Sequence, residues 1–185
     1  MFDDAQKNAL LDLARRTLES YLTQKSIPEY QPSGESLVEK KGAFVSLHRG
    51  EELRGCIGQL YPEVELYKIV QRCAISAALE DTRFLPVTSE ELDELTIEIS
   101  VLSPFRHIRR IEEIEVGKHG LYIVQGRFRG LLLPQVAIQY GWDRVTFLKQ
   151  ACRKSGLPES AWQEPHTITY TFEAEVFSDS PATDG

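Results

Sequence analysis

The run Arg54-Gly55-Cys56-Ile57-Gly58 sets a thiol two residues after a guanidinium and between two glycines. A nearby cation lowers a thiol pKa from about 8.5 and populates the thiolate, the nucleophilic and redox-active form. Glycines inside a short strand mark a bulge or the close approach of another element. The same pattern therefore also describes a packed cysteine in a tightly covered strand. Cys73 and Cys152 lie on the apolar stripes of helices, where packing accounts for them, so Cys56 is the one cysteine with a candidate chemical role.

A nucleophilic cysteine needs a base, typically histidine. A tight turn at Gly50-Glu51 pairs His48 with Leu53 and Val45 with Cys56, which puts His48 on the face opposite Cys56; a one-residue bulge would reverse this. His119, just before Gly120 at the start of a second hairpin, is the stronger candidate base, beside its reading as a turn histidine. Asp81-Thr82-Arg83-Phe84 either caps the end of a helix or forms a clamp, since the arginine fork is planar and binds carboxylate or phosphate bidentately. The candidate ligand-binding set is thus Arg54, Gly55, Gly58, Asp81, Arg83 and Phe84. No cysteine or histidine pair has the close spacing of a zinc site, and neither a metal nor a cofactor is expected. Phe105-Arg106-His107-Ile108-Arg109-Arg110 is a basic run that suits an acidic ligand or partner, or simply a solvated face.

Composition narrows the class. The chain has 185 residues, 21 Lys and Arg against 28 Asp and Glu, and a net charge of −7. That balance disfavours a nucleic acid partner. No apolar run approaches the roughly 20 residues that span a bilayer. The first residues are acidic, unlike a secretory signal, and three widely spaced cysteines suit a reducing compartment, so a cytoplasmic protein is expected.

The elements that must position these residues follow from periodicity. Leu10, Leu13, Ala14, Thr17, Leu18 and Tyr21 form a helical stripe, with a capping box at Asp3 and Gln6, over about residues 4–24. Residues 26–36 read as a loop. GAFVSLH and ELRGCIG form a hairpin, and a helix from Pro62 to about Glu80 follows. Thr88 and Glu91 cap a short helix before the strand at 96–103. The plan then recurs: a hairpin from Gly120 turning at Gly126-Arg127, a short helix from Pro134, a helix capped by Asp143 and ended by Gly156, and an alternating strand at 167–177. Residues 178–185 carry no pattern and are expected to form a disordered tail.

LRGCIGQL and FRGLLLPQV share an Arg-Gly on the return strand of a hairpin. The expected fold is α+β, with antiparallel sheets, helices, two lobes and an internal duplication of a β-hairpin–helix–strand unit over about 42–103 and 120–177. Two unrelated hairpins would produce the same thin similarity.

The chain resembles the AMMECR family, the AmmeMemoRadiSam system protein A of bacteria and archaea. The resemblance rests on LRGCIG, AALEDTRFLPVTSEEL, LTIEISVLSP, GKHGLYIV, GLLLPQVA, Trp142-Asp143 and KSGL followed by Trp162, and spans about Ala9 to Phe177. Family members usually carry proline where this chain has Thr82. The resemblance implies one AMMECR-type domain over 1–177, an intracellular α+β fold of two unequal lobes, and an LRGCIG strand bordering a cleft. It further implies an association with a Memo-like protein and a radical-SAM enzyme, and it supplies no reaction. Two expectations follow. One is an accessory or binding module with its cleft at the LRGCIG strand. The other is an enzyme using Cys56 as nucleophile or redox thiol on a small anionic substrate, with His119 as base.

Overall fold

The first helix, α1 (Asp4–Gln24), starts where its side chains provide for orphan N–H groups. The Gln6 N–H donates to Asp3 Oδ1 at 2.8 Å, and the Asp3 N–H to Gln6 Oε1 at 3.1 Å. The computed structural model describes residues 1–179 and falls into two units, Met1–Val101 with the segment from Glu175, and Leu102–Ala174.

In the first unit, β1 (Ala43–Arg49) and β2 (Glu52–Gln59) form the expected hairpin, and β3 (Leu95–Leu102) pairs with β1, giving the antiparallel order β2-β1-β3. Val45, Leu47, Ile97 and Ile99 point to one face and bury against α1 and α2 (Leu66–Leu79), with Leu10, Ala14, Leu18, Ile69, Val70, Ala74 and Ala77. The second helix starts later than Pro62. Its first N–H, that of Leu66, donates to the distant carbonyl of Glu39 at 2.9 Å, so a tertiary contact sets the start where local proline chemistry suggested an earlier one. A 3-10 helix at Glu35–Leu37 lies at the end of the expected loop, and the Thr88–Glu91 capping box opens a 3-10 helix at Ser89–Glu94.

The second unit holds β4 (Arg106–Ile108), β5 (His119–Gln125), β6 (Phe128–Leu132), α3 (Pro134–Gln139) and α4 (Arg144–Lys154). The last strand, β7 (Ile168–Ser178), gives residues 168–174 to this unit and 175–178 to the first. Here the order is β6-β5-β7-β4, antiparallel throughout, over a core of Leu121, Ile123, Phe147, Leu148, Ala151 and Cys152. Strand β4 and the 3-10 turns at Ile111–Glu113 and Ala161–Gln163 are too short to leave a periodic signal.

Each unit thus repeats one order, β2-β1-β3 and β6-β5-β7, and the shared Arg-Gly has one packing role in both. A Cβ on Gly55 would lie 2.0 Å from the Ala77 carbonyl oxygen near the end of α2, and one on Gly130 2.6 Å from the Ser155 nitrogen at the end of α4. Of the expected tail, Ser178 closes β7 and Asp179 accepts the Ile97 N–H at 2.7 Å, while residues 180–185 lie outside the described residues. Among the described residues no helix is long and apolar enough to cross a membrane.

Candidate functional site at the edge of β2

Strand β2 is the outer strand of the first sheet, so the outward N–H and C=O groups of its free edge need partners. The chain supplies them just after α2. The Cys56 N–H donates to Asp81 Oδ2 at 2.9 Å. Arg83 forks onto the same carboxylate, Nε to Oδ1 at 2.9 Å and Nη2 to Oδ2 at 2.7 Å, and its own N–H reaches Oδ1 at 3.2 Å. Asp81 is buried while Arg83 is half exposed. The Arg83 hydrogen bonds, joined by the Cys56 and Arg83 N–H groups, hold Asp81 far below the usual carboxylate range against the opposing cost of burial.

Arg54 fastens the next stretch. Its Nε and Nη2 grip Glu91 at 3.0 and 3.1 Å, and Nη1 donates to the Leu85 carbonyl at 2.7 Å. That pair in turn holds Glu91 below its ordinary pKa. Residues 81–91 are therefore laid along the strand edge by the Cys56 N–H on Asp81 and by the Arg54–Glu91 pair. The glycines of the motif are explained by contact on either face: Gly55 admits α2, and a Cβ on Gly58 would strike the Phe44 ring at 2.3 Å. Phe84 sits under Arg83, whose guanidinium carbon is 5.3 Å from the ring centre.

Register decides what Cys56 faces. The hairpin carries a bulge opposite Leu47–His48 in which Arg54 is the extra residue, so Cys56 pairs with Ser46, and Val45 with Ile57. This corrects the expected Val45–Cys56 pairing. It also brings His48 onto the same face as Cys56, a diagonal neighbour at a separation typical of about 7–8 Å for such pairs. The face carries Ser46, His48, Thr96, Glu98 and Ser100 beside the thiol. Ser46 Oγ donates to Cys56 Sγ at 3.2 Å. Burial pushes the thiol pKa up; the Ser46 hydrogen bond and the Arg83 charge pull the other way without reversing it. His48 Nε2 is buried and has no hydrogen-bond partner among the described residues.

His119 belongs to the second unit, where it is buried and closes a turn. The Glu115 N–H donates to His119 Nδ1 at 3.1 Å, the His119 N–H returns to the Glu115 carbonyl at 2.9 Å, and Nε2 lies 4.0 Å from Glu173. The first unit thus brings together Arg54, Gly55, Cys56, Gly58, Asp81, Arg83 and Phe84. Two neighbours of this group carry no signal in the sequence beyond their local roles, Ser46 on β1 and Glu91 as a helix cap, and the bulge moves His48 from the expected opposite face to the face of Cys56. Among the described residues no three ligating side chains converge as a metal site requires.

Comparison with known proteins adds lineage to geometry. The AMMECR1 family model matches residues 11–177. Protein TK0174 of Thermococcus kodakarensis is 45% identical over 183 residues, covering 92% of this chain and 88% of its own. A protein of Methanosarcina barkeri is 40% identical over 188 residues, covering 97% and 93%. Among solved structures, the uncharacterised protein PH0010 of Pyrococcus horikoshii superposes with a TM-score of 0.93 at 39% identity, over 97% of this chain and 94% of that one.

Proposed function

The chain belongs to the AMMECR1 family, and from that premise we propose that it works as an accessory or binding module whose recognition surface is built on the LRGCIG strand. One observation carries this reading. Arg54 and Asp81 are engaged in fastening residues 81–91 to β2, Arg83 is forked onto Asp81, and burial pushes the pKa of the Cys56 thiol up. Nucleophilic catalysis at a thiol asks for the opposite electrostatics. What the edge offers a partner is the outward part of the Arg83 guanidinium beside the exposed Leu85, a cation next to an apolar contact. The resemblance of the sequence supports a Memo-like protein and a radical-SAM enzyme as partners, and three free cysteines support a reducing cytoplasm.

Paired substitutions test it. In a binding module Cys56→Ala retains cellular function, while Cys56→Ser is tolerated less well because it sets a stronger polar group in the same half-buried place. Arg83→Ala removes partner binding. In an enzyme both Cys56 variants lose function with the fold intact. The enzyme reading has one specific observation in its favour, the unpartnered His48 Nε2 on the face of the thiol. On that reading His48→Gln abolishes turnover of a small anionic substrate.

A further inference from the structure

Strand β6 is the outer strand of the second sheet, the place that β2 holds in the first. The two-residue turn at Gly126-Arg127 makes Gln125 and Phe128 a hydrogen-bonded pair, and the pairing alternates onward through Val124–Arg129, Ile123–Gly130 and Tyr122–Leu131. The N–H and C=O groups of Arg129 and Leu131 therefore point away from β5, to the free edge. Neither residue makes a further hydrogen bond, and the exposed Arg129 guanidinium makes no ion pair, among the described residues.

The matching edge of the first unit shows what such a strand accepts. Arg54-Gly55-Cys56 and Arg129-Gly130-Leu131 hold one position in the repeat, each glycine lying under the end of a helix. In the first unit the outward Cys56 N–H donates to the Asp81 carboxylate at 2.9 Å, and Arg54 grips that of Glu91 at 3.0 Å. Both acids arrive on the stretch that follows α2. The stretch that follows α4 takes another course. The Gly156 and Leu157 N–H groups turn back to the carbonyls of Arg153 and Cys152, each at 3.0 Å, and Leu157 enters the core. Its acids are engaged away from β6, Glu159 with Arg153 at 3.4 Å and Glu164 with Gln125 at 2.7 Å.

Charge selects the occupant. Residues 126–154 carry six Lys and Arg and one acid, Asp143, whose carboxylate caps α4 by accepting the Thr146 N–H at 2.7 Å. A second copy pairing through its own β6 would set Arg127 and Arg129 against the same cations, and like charges across a strand pair are unfavourable. The exposed Phe128, with the Arg127 guanidinium 5.3 Å from its ring centre, adds an apolar contact beside the cations.

We propose that the β6 edge is a docking strand for an acidic extended segment of a partner protein, which joins the sheet through the outward groups of Arg129 and Leu131 and places a carboxylate on the Arg129 guanidinium. Added strands draw affinity from main-chain hydrogen bonds and specificity from alternate side chains. A carboxylate on a guanidinium makes charge-assisted bonds that select for acid. The site lies within the second unit, and its test leaves the reading of the β2 edge untouched.

Two end-blocked peptides probe it in nitrogen–proton correlation spectra of the full chain: residues 81–91 as a free peptide, and an alternating Glu-Val octapeptide. At least one is expected to shift the Arg129 and Leu131 amides saturably, with half-saturation at about 5 mM or below. Replacing the acids of that peptide by their amides weakens binding by about threefold or more, as does Arg129→Gln in the protein. N-methylation of the peptide separates strand addition from simple charge attraction. Methylating one alternate set of amides abolishes binding, and methylating the other set leaves it, because only one set faces β6. The proposal is overturned if neither peptide half-saturates these amides by about 5 mM, if the amide-substituted peptide or Arg129→Gln binds as the parent does, or if both methylated sets bind alike. Shifts at these amides that follow protein concentration without peptide would assign the edge to a second copy of the chain and overturn it equally.

Discussion

Asp81 shows how one carboxylate organises a motif that reads, in sequence, as a set of reactive groups. It accepts the Cys56 N–H and both branches of Arg83 while buried, so its removal strands an edge donor and frees an arginine. Asp81→Asn is expected to cost about 2–3 kcal/mol at neutral pH, measured by urea unfolding. The sign of the pH dependence follows from the depressed pKa: the stability it contributes is present above the unfolded value of about 3.9 and is lost as pH falls through and below it. The gap between parent and variant should therefore close in acid. Cys56 works in the other direction. Its raised pKa means that the stability tied to the neutral thiol is intact below about 8.5 and declines as pH rises past that point, a slope that Cys56→Ala should reduce to what the buried Cys73 and Cys152 contribute. The residue types of this site were legible in the sequence, Arg54, Cys56, Asp81 and Arg83 among them. Their mutual bonds were not, because pairing across 25 residues between Cys56 and Asp81 depends on where α2 delivers the chain.

At the scale of elements, the two Arg-Gly pairs show what the sequence carries and where it stops. Hairpins, helix caps and the closing strand were readable because each rests on local chemistry: the capping box at Asp3, Pro134 at the start of α3, Asp143 at the start of α4. The start of α2 and the bulge at Arg54 were not, since both are set by partners distant in the chain or across the ladder. Gly55 is required by a helix passing overhead. Gly55→Ala drives a methyl group into the Ala77 carbonyl and should cost about 3 kcal/mol. Gly126→Ala sits in open space at the hairpin turn with φ of 58° and should cost only the backbone term of about 1–2 kcal/mol. Parallel urea melts of the two variants compare a packing glycine with a conformational one.

For the whole molecule the unexpected feature is the end of the chain. Residues 175–179 are the last to be described, yet they complete the first unit. The Phe2 N–H donates to both oxygens of Glu175 at 3.1 Å, Phe177 packs on the first core, and Asp179 joins Ile97 and Arg15. Alternation predicted the strand, but nothing in its pattern says which core its final residues serve. Truncation after Ala174 should accelerate hydrogen exchange at the Ile97 amide and along α1. Exchange in α4, which packs on the separate core around Phe147, should change far less.

Central to the proposed function is that Cys56 is a half-buried thiol of raised pKa at a strand edge that serves as scaffold for recognition. Its alkylation rate against pH, in a chain with Cys73 and Cys152 replaced, measures this directly. The account predicts slow reaction with a midpoint above the free-thiol value of about 8.5, accelerating only when the fold is lost. Fast alkylation with a midpoint well below that value would contradict it and return Cys56 to the role of an activated nucleophile.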